Sequence, residues 1–529
     1  MGPEASRPEL VAAMLDAGFY PHAPATVELR ETHTSWVFLA GELAYKVKKP
    51  VRFPFLDYGT AERRREMCRE EVRLNRRLAP CIYLRVLGIA RSGERYALVG
   101  EDDAAAVEYA VEMRRVEEDR SLASLAEAGA VEKRHAVAVA ELLAAFHADA
   151  PVAAPERSGV EALTAPIIDN VDELIDADDG TLDWNALEAG REFTHRFVAA
   201  RRTTLAARGA GGQVRDCHGD LRAEHVIVPR DGEVYVYDCV EFNPALREID
   251  VGADLAFLVM DLARLGSDVA AAALVAGYRE AGGDPGDDAL LAFYACYRAW
   301  VRAKVACLRA SSLDHGDSER DAQRDGAREL FRLGRHFAWH ARCPVAVVVC
   351  GVAGTGKTTL AREIAELGDL AHISSDVTRK RLAGLSPADR AAEEHYTPEF
   401  TLRTYAEMGA EAGEVLDRGD GAVVDATFHR RDARAAFRDA LGARDEPVVF
   451  VYCRVPREVA LNRVRTRRAE GESTSDADVA IVERQLAELE PLDEVPSEHR
   501  ATLDTDAPVG ELVAGVERLV DARMWRSTQ

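Results

Sequence analysis

The sequence predicts an α+β unit, with a small β-rich lobe ahead of a helical lobe, followed by an α/β doubly wound unit. Three observations carry this. The stretch "SWVFLAGELAYKVKKP" (35–50) reads as an apolar hairpin turning at Gly-Glu. From about Ser121 to Phe337 the chain reads as mostly helical, broken by one β-rich insert, "DCHGDLRAEHVIVPRDGEVYVYDCVEF" (216–242). From residue 345 a continuous β-branched run, "VAVVVC", opens an alternation of buried strands and helices, the pattern of a parallel sheet. The expected domains are 1–337 and 338–529.

Taken in order, "TAERRREMCREEVRLNRRLAP" (60–80) predicts a helix stopped by Pro80. "RYALVG" and "VEYAVEMRRV" follow as strands, and Ala130–His147 and Asp287–Leu308 as helices. Within the insert, "PRDG" supplies a turn between two short apolar runs. Beyond "VAVVVC", the next strands are "GAVVDA" (421–426) and "PVVFVYC" (447–453).

Composition limits the function. A length of 529 residues with 47% hydrophobic content supplies two large cores. The formal net charge of −24 argues against non-specific binding to nucleic acid or anionic membranes. Nine scattered cysteines form no CxxC pair, which suits reduced thiols in a cytoplasmic protein. The N-terminus lacks a basic segment followed by an apolar one, so no signal peptide is read. The composition leaves the oligomeric state open.

The clearest motif is "GVAGTGKTT", which fits G-x-x-x-x-G-K-[ST] between a predicted strand and a predicted helix. Gly351, Gly354 and Gly356 let backbone N–H groups wrap phosphates, and Lys357 would reach the β- and γ-phosphates. Thr358 would hold Mg²⁺, with Thr359 beside it. In "SSDVTRKRLAG" (374–384), Asp376 and Arg379 lie three apart on a first helical turn. A carboxylate there can accept the proton of a hydroxyl while the arginine steers a phosphate or the acceptor. Asp376 equally fits a helix N-cap. Asp425, ending a strand in "VVDATFHRRDAR", is a candidate Mg²⁺-associated carboxylate or substrate contact.

Together, "GxxGxGKTT", "SSDxxR" and "DATFxxRxxR" resemble the P-loop kinases of the polynucleotide-kinase, gluconate-kinase and zeta-toxin group. The resemblance covers 345–529 and implies Mg²⁺-dependent transfer of the ATP γ-phosphoryl group to a hydroxyl. Arg463, Arg465, Arg467 and Arg468 resemble the arginine-bearing lid over ATP, and also fit a solvated helix face.

The insert carries a second resemblance. "HGDL", followed some twenty residues on by "YDCVEF", is similar to aminoglycoside and choline phosphotransferases, which share a bilobal protein-kinase-like fold. It implies that Asp220 orients or deprotonates the acceptor hydroxyl, and that His225 and Asp238 stand at the metal-binding positions. Asp254 matches the aspartate that buttresses the loop. Lys46 in "AYK" would meet the α- and β-phosphates, paired with Glu70 or Glu71; Lys48 is the competing lysine. "EYAVEM" (108–113) resembles the hinge that meets adenine. No kinase-type Gly-rich loop is evident, and "ETHTSWVF" (31–38) stands in its place.

His225 departs from the family, which uses asparagine there. Imidazole suits Mn²⁺ and later metals better than Mg²⁺. Three outcomes stay open: altered metal preference, an oxygen supplied by Glu224, or loss of catalysis.

Nearly the whole chain resembles bacterial fusions described as bifunctional aminoglycoside-phosphotransferase-like/AAA-type ATPases, through "THTSWVFLAGELAYKVKKPV" and "VRLNRRLAP". The expected activity is ATP-dependent phosphoryl transfer at two nucleotide sites, with Mg²⁺, or Mn²⁺ at the first. The acceptors would be small hydroxylated molecules such as a sugar or aminoglycoside. The alternative makes the N-terminal domain a binding or regulatory module beside a single P-loop kinase, of polynucleotide-kinase or zeta-toxin type.

Overall fold

Gly41 takes φ 65°, a backbone conformation costly for residues with a Cβ, and this turns the first hairpin. Strands β2 (Ser35–Ala40) and β3 (Leu43–Lys48) pair antiparallel on either side of it, with Val37 opposite Lys46. The fold is that of a computed structural model, which describes all residues except 1–8, 54, 55, 94, 315, 387, 388, 390, 391, 445, 446, 471–478 and 526–529. Side chains 53, 393 and 467–470 also lie outside the description.

With β1 (Val27–Glu31), β4 (Tyr83–Ser92), β5 (Arg95–Gly100) and β6 (Ala106–Arg114), the hairpin builds a six-stranded sheet of order β1-β2-β3-β6-β4-β5. Helix α1 (Ala61–Asn75), N-capped by Thr60, ends five residues short of Pro80. Its Cys68 and Val72 bury against Leu39, Ala44, Val111 and Met113 of one sheet face. Phe38, Tyr45, Val47 and Ile89 fill the other face with Val11 and Met14.

The next helices are α2 (Lys133–Asp149), α3 (Trp184–Ala200), α4 (Val251–Arg264), α5 (Asp268–Glu280), α6 (Asp288–Ser311) and α7 (Ser318–Arg342). The insert forms only two-residue strands, Val226–Ile227 and Tyr235–Val236, paired antiparallel across the PRDG turn.

Packing divides the chain into two compact units, Met1–Leu163 with Ala206–Gly286, and Thr164–Leu205 with Asp287–Gln529. These borders do not coincide with the chain-order boundary expected at 337/338. The reason is aromatic. Trp525, at the end of the last helix, lies 5.4 Å from both Phe193 and Phe197 of α3, drawing that helix into the second unit.

In the second unit, β7 (Val345–Cys350) is buried along its whole length and is the middle strand of a parallel sheet. It is followed by α8 (Lys357–Gly368), β8 (Ala371–Ser374), α9 (Ser375–Leu382), α10 (Pro398–Asp417), β9 (Gly421–Ala426) and α11 (Arg431–Leu441). Then come β10 (Val448–Arg454), α12 (Arg457–Glu470), α13 (Val479–Ala487), β11 (Arg500–Asp504) and α14 (Val509–Met524). The sheet order is β8-β9-β7-β10-β11. Val347 and Val349 pack with Leu360, Ile364 and Val516 on one face; Ala346 and Val348 pack with Met408 and Phe437 on the other. Helices on both faces make it doubly wound, and they explain why its strands read as unbroken apolar runs.

One buried ion pair closes this core. Arg342 meets Asp521 through Nε–Oδ1 at 2.6 Å and Nη2–Oδ2 at 2.9 Å, and its guanidinium lies 4.4 Å from the Phe193 ring. Removing one partner leaves a buried charge unpaired, so Asp521→Ala should cost about 3–5 kcal/mol in urea unfolding. Arg342→Met combined with Asp521→Leu should recover most of that loss.

Candidate active sites

In the first unit, β3 places Lys46 where two carboxylates reach it: Glu71 Oε1 of α1 at 2.8 Å and Asp238 Oδ1 at 2.8 Å. Glu71 rather than Glu70 is the partner, because Glu70 pairs with Arg73 and Arg247. Burial works against the Lys46 charge, but Asp238 and Glu71 push its pKa well above the ordinary lysine value. Burial alone would raise the Asp238 carboxyl, yet the Lys46 ammonium holds it well below the usual carboxylate range. Asp238 sits at φ 64°, unusual for a residue with a side chain. Lys48 lies deeper, on Glu71 Oε2 at 2.7 Å.

The loop from His218 to His225 is held from below. Asp254 of α4 accepts the backbone N–H of His218 at 2.9 Å and of Gly219 at 2.8 Å. His147 of α2 bridges Asp254 at 3.1 Å and the Tyr278 hydroxyl at 2.8 Å. Asp261 takes the Ala223 N–H at 2.9 Å. The loop thus presents Asp220, whose carboxylate accepts from Arg222 Nε at 3.1 Å.

His225 is buried, and its hydrogen bonds define its tautomer. Nδ1–H donates to the Asp220 carbonyl at 2.9 Å, leaving Nε2 to accept from Arg222 at 3.1 Å. That nitrogen lies 3.7 Å from both Asp238 Oδ2 and Glu224 Oε1. A lone pair fixed by a backbone carbonyl on the opposite nitrogen is the arrangement of a metal-binding imidazole. A cation at Nε2 would have to displace the Arg222 guanidinium that now occupies the lone pair.

In the second unit, the loop after β7 depends on its glycines. Gly351, Gly354 and Gly356 have φ of 148°, 84° and 85°. A Cβ on Gly351 would stand 2.5 Å from the Cys453 carbonyl, and one on Gly354 2.5 Å from that of Ala460. Lys357 and Thr358 begin α8, and Thr359 is exposed. Asp425 lies in register with Val349 and Ser374, and its buried Oδ1 has no hydrogen-bond partner among the described residues. Such an orphaned buried oxygen fits a cation. Asp376 opens α9; burial raises its pKa, Lys357 opposes the shift and Asp425 adds to it.

Other expected residues are placed differently. Arg379 is buried, donating to the His395 carbonyl at 2.7 Å and Thr401 at 3.3 Å, with its guanidinium 4.8 Å from the Tyr396 ring. Arg463 does reach the loop: it donates to the Thr505 carbonyl at 3.2 Å, and a Cβ on Gly356 would lie 3.7 Å from its Nη1. The Arg467 and Arg468 side chains lie outside the described residues. Arg434 is fully buried on the Phe428 and Pro491 carbonyls, while Arg430 pairs with Asp432 and Arg431 with Glu494. Each of these three arginines is thus paired with an acid or carbonyl among the described residues.

Sequence reasoning missed Glu241, Tyr58, His147 and Asp261. Glu241 had a signal, three residues after Asp238 in the same motif; the other three had none. Gln485 was also missed, and its Oε1 accepts the Ala353 N–H of the phosphate loop at 2.8 Å.

Residues 347–492 match the family described as "AAA domain". The uncharacterized protein Rv2004c of Mycobacterium tuberculosis is 34% identical over 460 residues, covering 86% of this chain and 89% of its own. The chain belongs to the Rv2004c family. A shikimate kinase of Halorhodospira halophila is 33% identical over 155 residues, 29% of this chain and 81% of that one. A solved choline/ethanolamine kinase family protein of Mesorhizobium loti is similar at 14% identity and a TM-score of 0.38, over 62% of this chain and 94% of that one. Aminoglycoside phosphotransferases are also among the structural neighbours. The chain is an ATP-dependent kinase. Among the described residues no helix is long and apolar enough to cross a membrane.

His218 gives the first site a measurable pH signature. Its Nε2–H donates to the Tyr237 carbonyl at 3.0 Å and Nδ1 accepts the Asp220 N–H at 3.3 Å, so the neutral ring is satisfied. Burial pushes its pKa down from 6.5 to about 4. Between those values the unfolded chain binds the extra proton, so stability falls as pH falls from 6.5 to about 4 and this contribution levels off below. Urea unfolding of the wild type should lose up to about 3 kcal/mol more across this window than His218→Gln, at about 1.4 kcal/mol per pH unit.

Proposed function

We propose that both sites transfer the γ-phosphoryl group of ATP to a hydroxyl of a small molecule. The carrying observation is the convergence of Lys46, Glu71, Asp238 and His225 on a loop that Asp254 fixes and that presents Asp220. In this reading Lys46 binds phosphate oxygens, Asp238 and His225 hold the metal, and Asp220 receives the acceptor's proton. A bound divalent cation neutralises charge on the transferring phosphates.

In the second site the amides of the glycine loop and Lys357 cradle the phosphates, and Arg463 closes on them, with Arg467 further along the same helix. Thr358 and Asp425 hold the cation. Asp376, its pKa raised by burial, takes up the acceptor's proton, and Arg379 orders the wall beside it. The shikimate kinase likeness supports a small polyhydroxy acceptor at this site, such as a sugar; an aminoglycoside remains the counterpart reading at the first. The described pairing of Arg430, Arg431 and Arg434 weighs against a polynucleotide acceptor. Nine unpaired cysteines and the acidic balance support a cytoplasmic location.

His225 favours a second reading, in which the first site binds nucleotide without turning it over and only the P-loop site is catalytic. Single-site variants separate the two. Lys357→Ala and Asp220→Asn should each lower a different part of acceptor-dependent ATP consumption by about 100-fold or more, and together abolish it. If Asp220→Asn changes nothing against any sugar, aminoglycoside or nucleoside, the second reading stands.

Metal preference gives an independent check. In the Lys357→Ala background, His225→Asn should shift metal-supported nucleotide binding from Mn²⁺ toward Mg²⁺ by about tenfold. An unchanged ratio removes His225 from the metal.

A further inference from the structure

Strand β3 carries two lysines one pleat apart, on the same face. Lys46 keeps 15% of its side chain exposed, whereas Lys48 keeps 1% and can touch neither solvent nor a substrate. An ammonium has three hydrogens to donate. Lys48 places them on Glu71 Oε2 at 2.7 Å, the Tyr58 hydroxyl at 3.3 Å and Glu241 Oε1. Tyr58 in turn donates to Glu241 Oε1 at 2.6 Å. The set is closed. Lys46, by contrast, donates to Asp238 at 2.8 Å and meets Glu71 Oε1 at 2.8 Å only as an ion pair, that oxygen having no hydrogen bond among the described residues.

Glu71 thus divides its carboxylate, one oxygen to each lysine. This matters when Lys46 turns to a phosphate. A fully buried carboxylate stripped of its only cation is costly, and the cost would draw Lys46 back. With Lys48 on the other oxygen, Glu71 stays neutralised and Lys46 is free to exchange partners. Glu241 extends the effect to the metal-binding segment, three residues beyond Asp238. Backbone bonds also anchor that segment, among them the Asp238 N–H on the Tyr83 hydroxyl at 3.3 Å, the Cys239 N–H on Asn75 at 2.8 Å and the Val240 N–H on the His218 carbonyl at 3.1 Å.

We propose that Lys48 and Glu241 are positioning residues for the first site, holding Glu71 and the Asp238 segment in place while Lys46 moves onto the nucleotide. The proposal rests on the reading of that site as a nucleotide site. Apolar replacement of a whole buried ion pair is often neutral for stability, so a pair serving only the fold has no reason to affect nucleotide binding when both charges are removed.

The test uses the full chain carrying Lys357→Ala, so that the P-loop site is silent, and a fluorescent ATP analogue with Mn²⁺. Lys48→Met/Glu241→Gln should unfold at a urea midpoint close to that of its parent yet bind the analogue about tenfold more weakly. Lys48→Arg, which keeps the charge, should return affinity to within about threefold. A double variant that binds as tightly as its parent, or that fails to fold, overturns the proposal, since either result confines the pair to stability. Lys46→Met separates this outcome from failure of the underlying reading. If that variant binds the analogue like its parent, the first site is not where nucleotide binds, and the proposal falls with it.

Discussion

Glu71 is out of reach of water, and the first site is organised by that constraint. A buried carboxylate must be paired, so strand β3 brings it two ammonium groups. Those in turn require further acids, which are Asp238 on one side and Glu241 on the other. Asp238 lies 3.7 Å from His225, and His225 is oriented by the Asp220 carbonyl. From the sheet to the catalytic loop, each charge is placed by the need to satisfy the one before it. The same logic runs beneath the loop, where Asp254 is buried and is met by two amides and an imidazole.

The second site solves a different problem. Its glycine loop needs bare backbone: at Gly351 and Gly354 a side chain would strike carbonyl oxygens, and Gly356 takes a positive φ. Its acids are less completely paired. Asp425 keeps a buried oxygen without a partner, and His372 approaches only to 4.0 Å. The charges of the two sites are thus met in opposite ways, one set closed by ion pairs and the other left unfinished among the described residues.

Much of this was legible in the sequence because it is local. The hairpin follows from alternation around a Gly-Glu turn, and the phosphate loop from fixed spacing between a strand and a helix. Asp220, Asp238 and Asp254 were readable because their motifs carry them. What was hidden depends on distance along the chain. Tyr58 and His147 look like ordinary residues until folding brings them to Glu241 and Asp254. Arg379 and Arg434 look available to a ligand, but carbonyls from remote segments bind them. The packing borders were hidden for the same reason, since nothing near Phe193 signals that Trp525 will cover it.

That last contact has a consequence for how the chain is made. The aromatic face of α3 leaves the ribosome with its partner roughly 330 residues unsynthesised. At about 5–20 residues per second, Phe193 and Phe197 wait on the order of 20–60 s before Trp525 exists to cover them. Meanwhile the remaining segment of the first unit, Ala206–Gly286, is translated and can join the residues made before α3. The order of synthesis therefore favours completing the first unit while the second still holds an open apolar face.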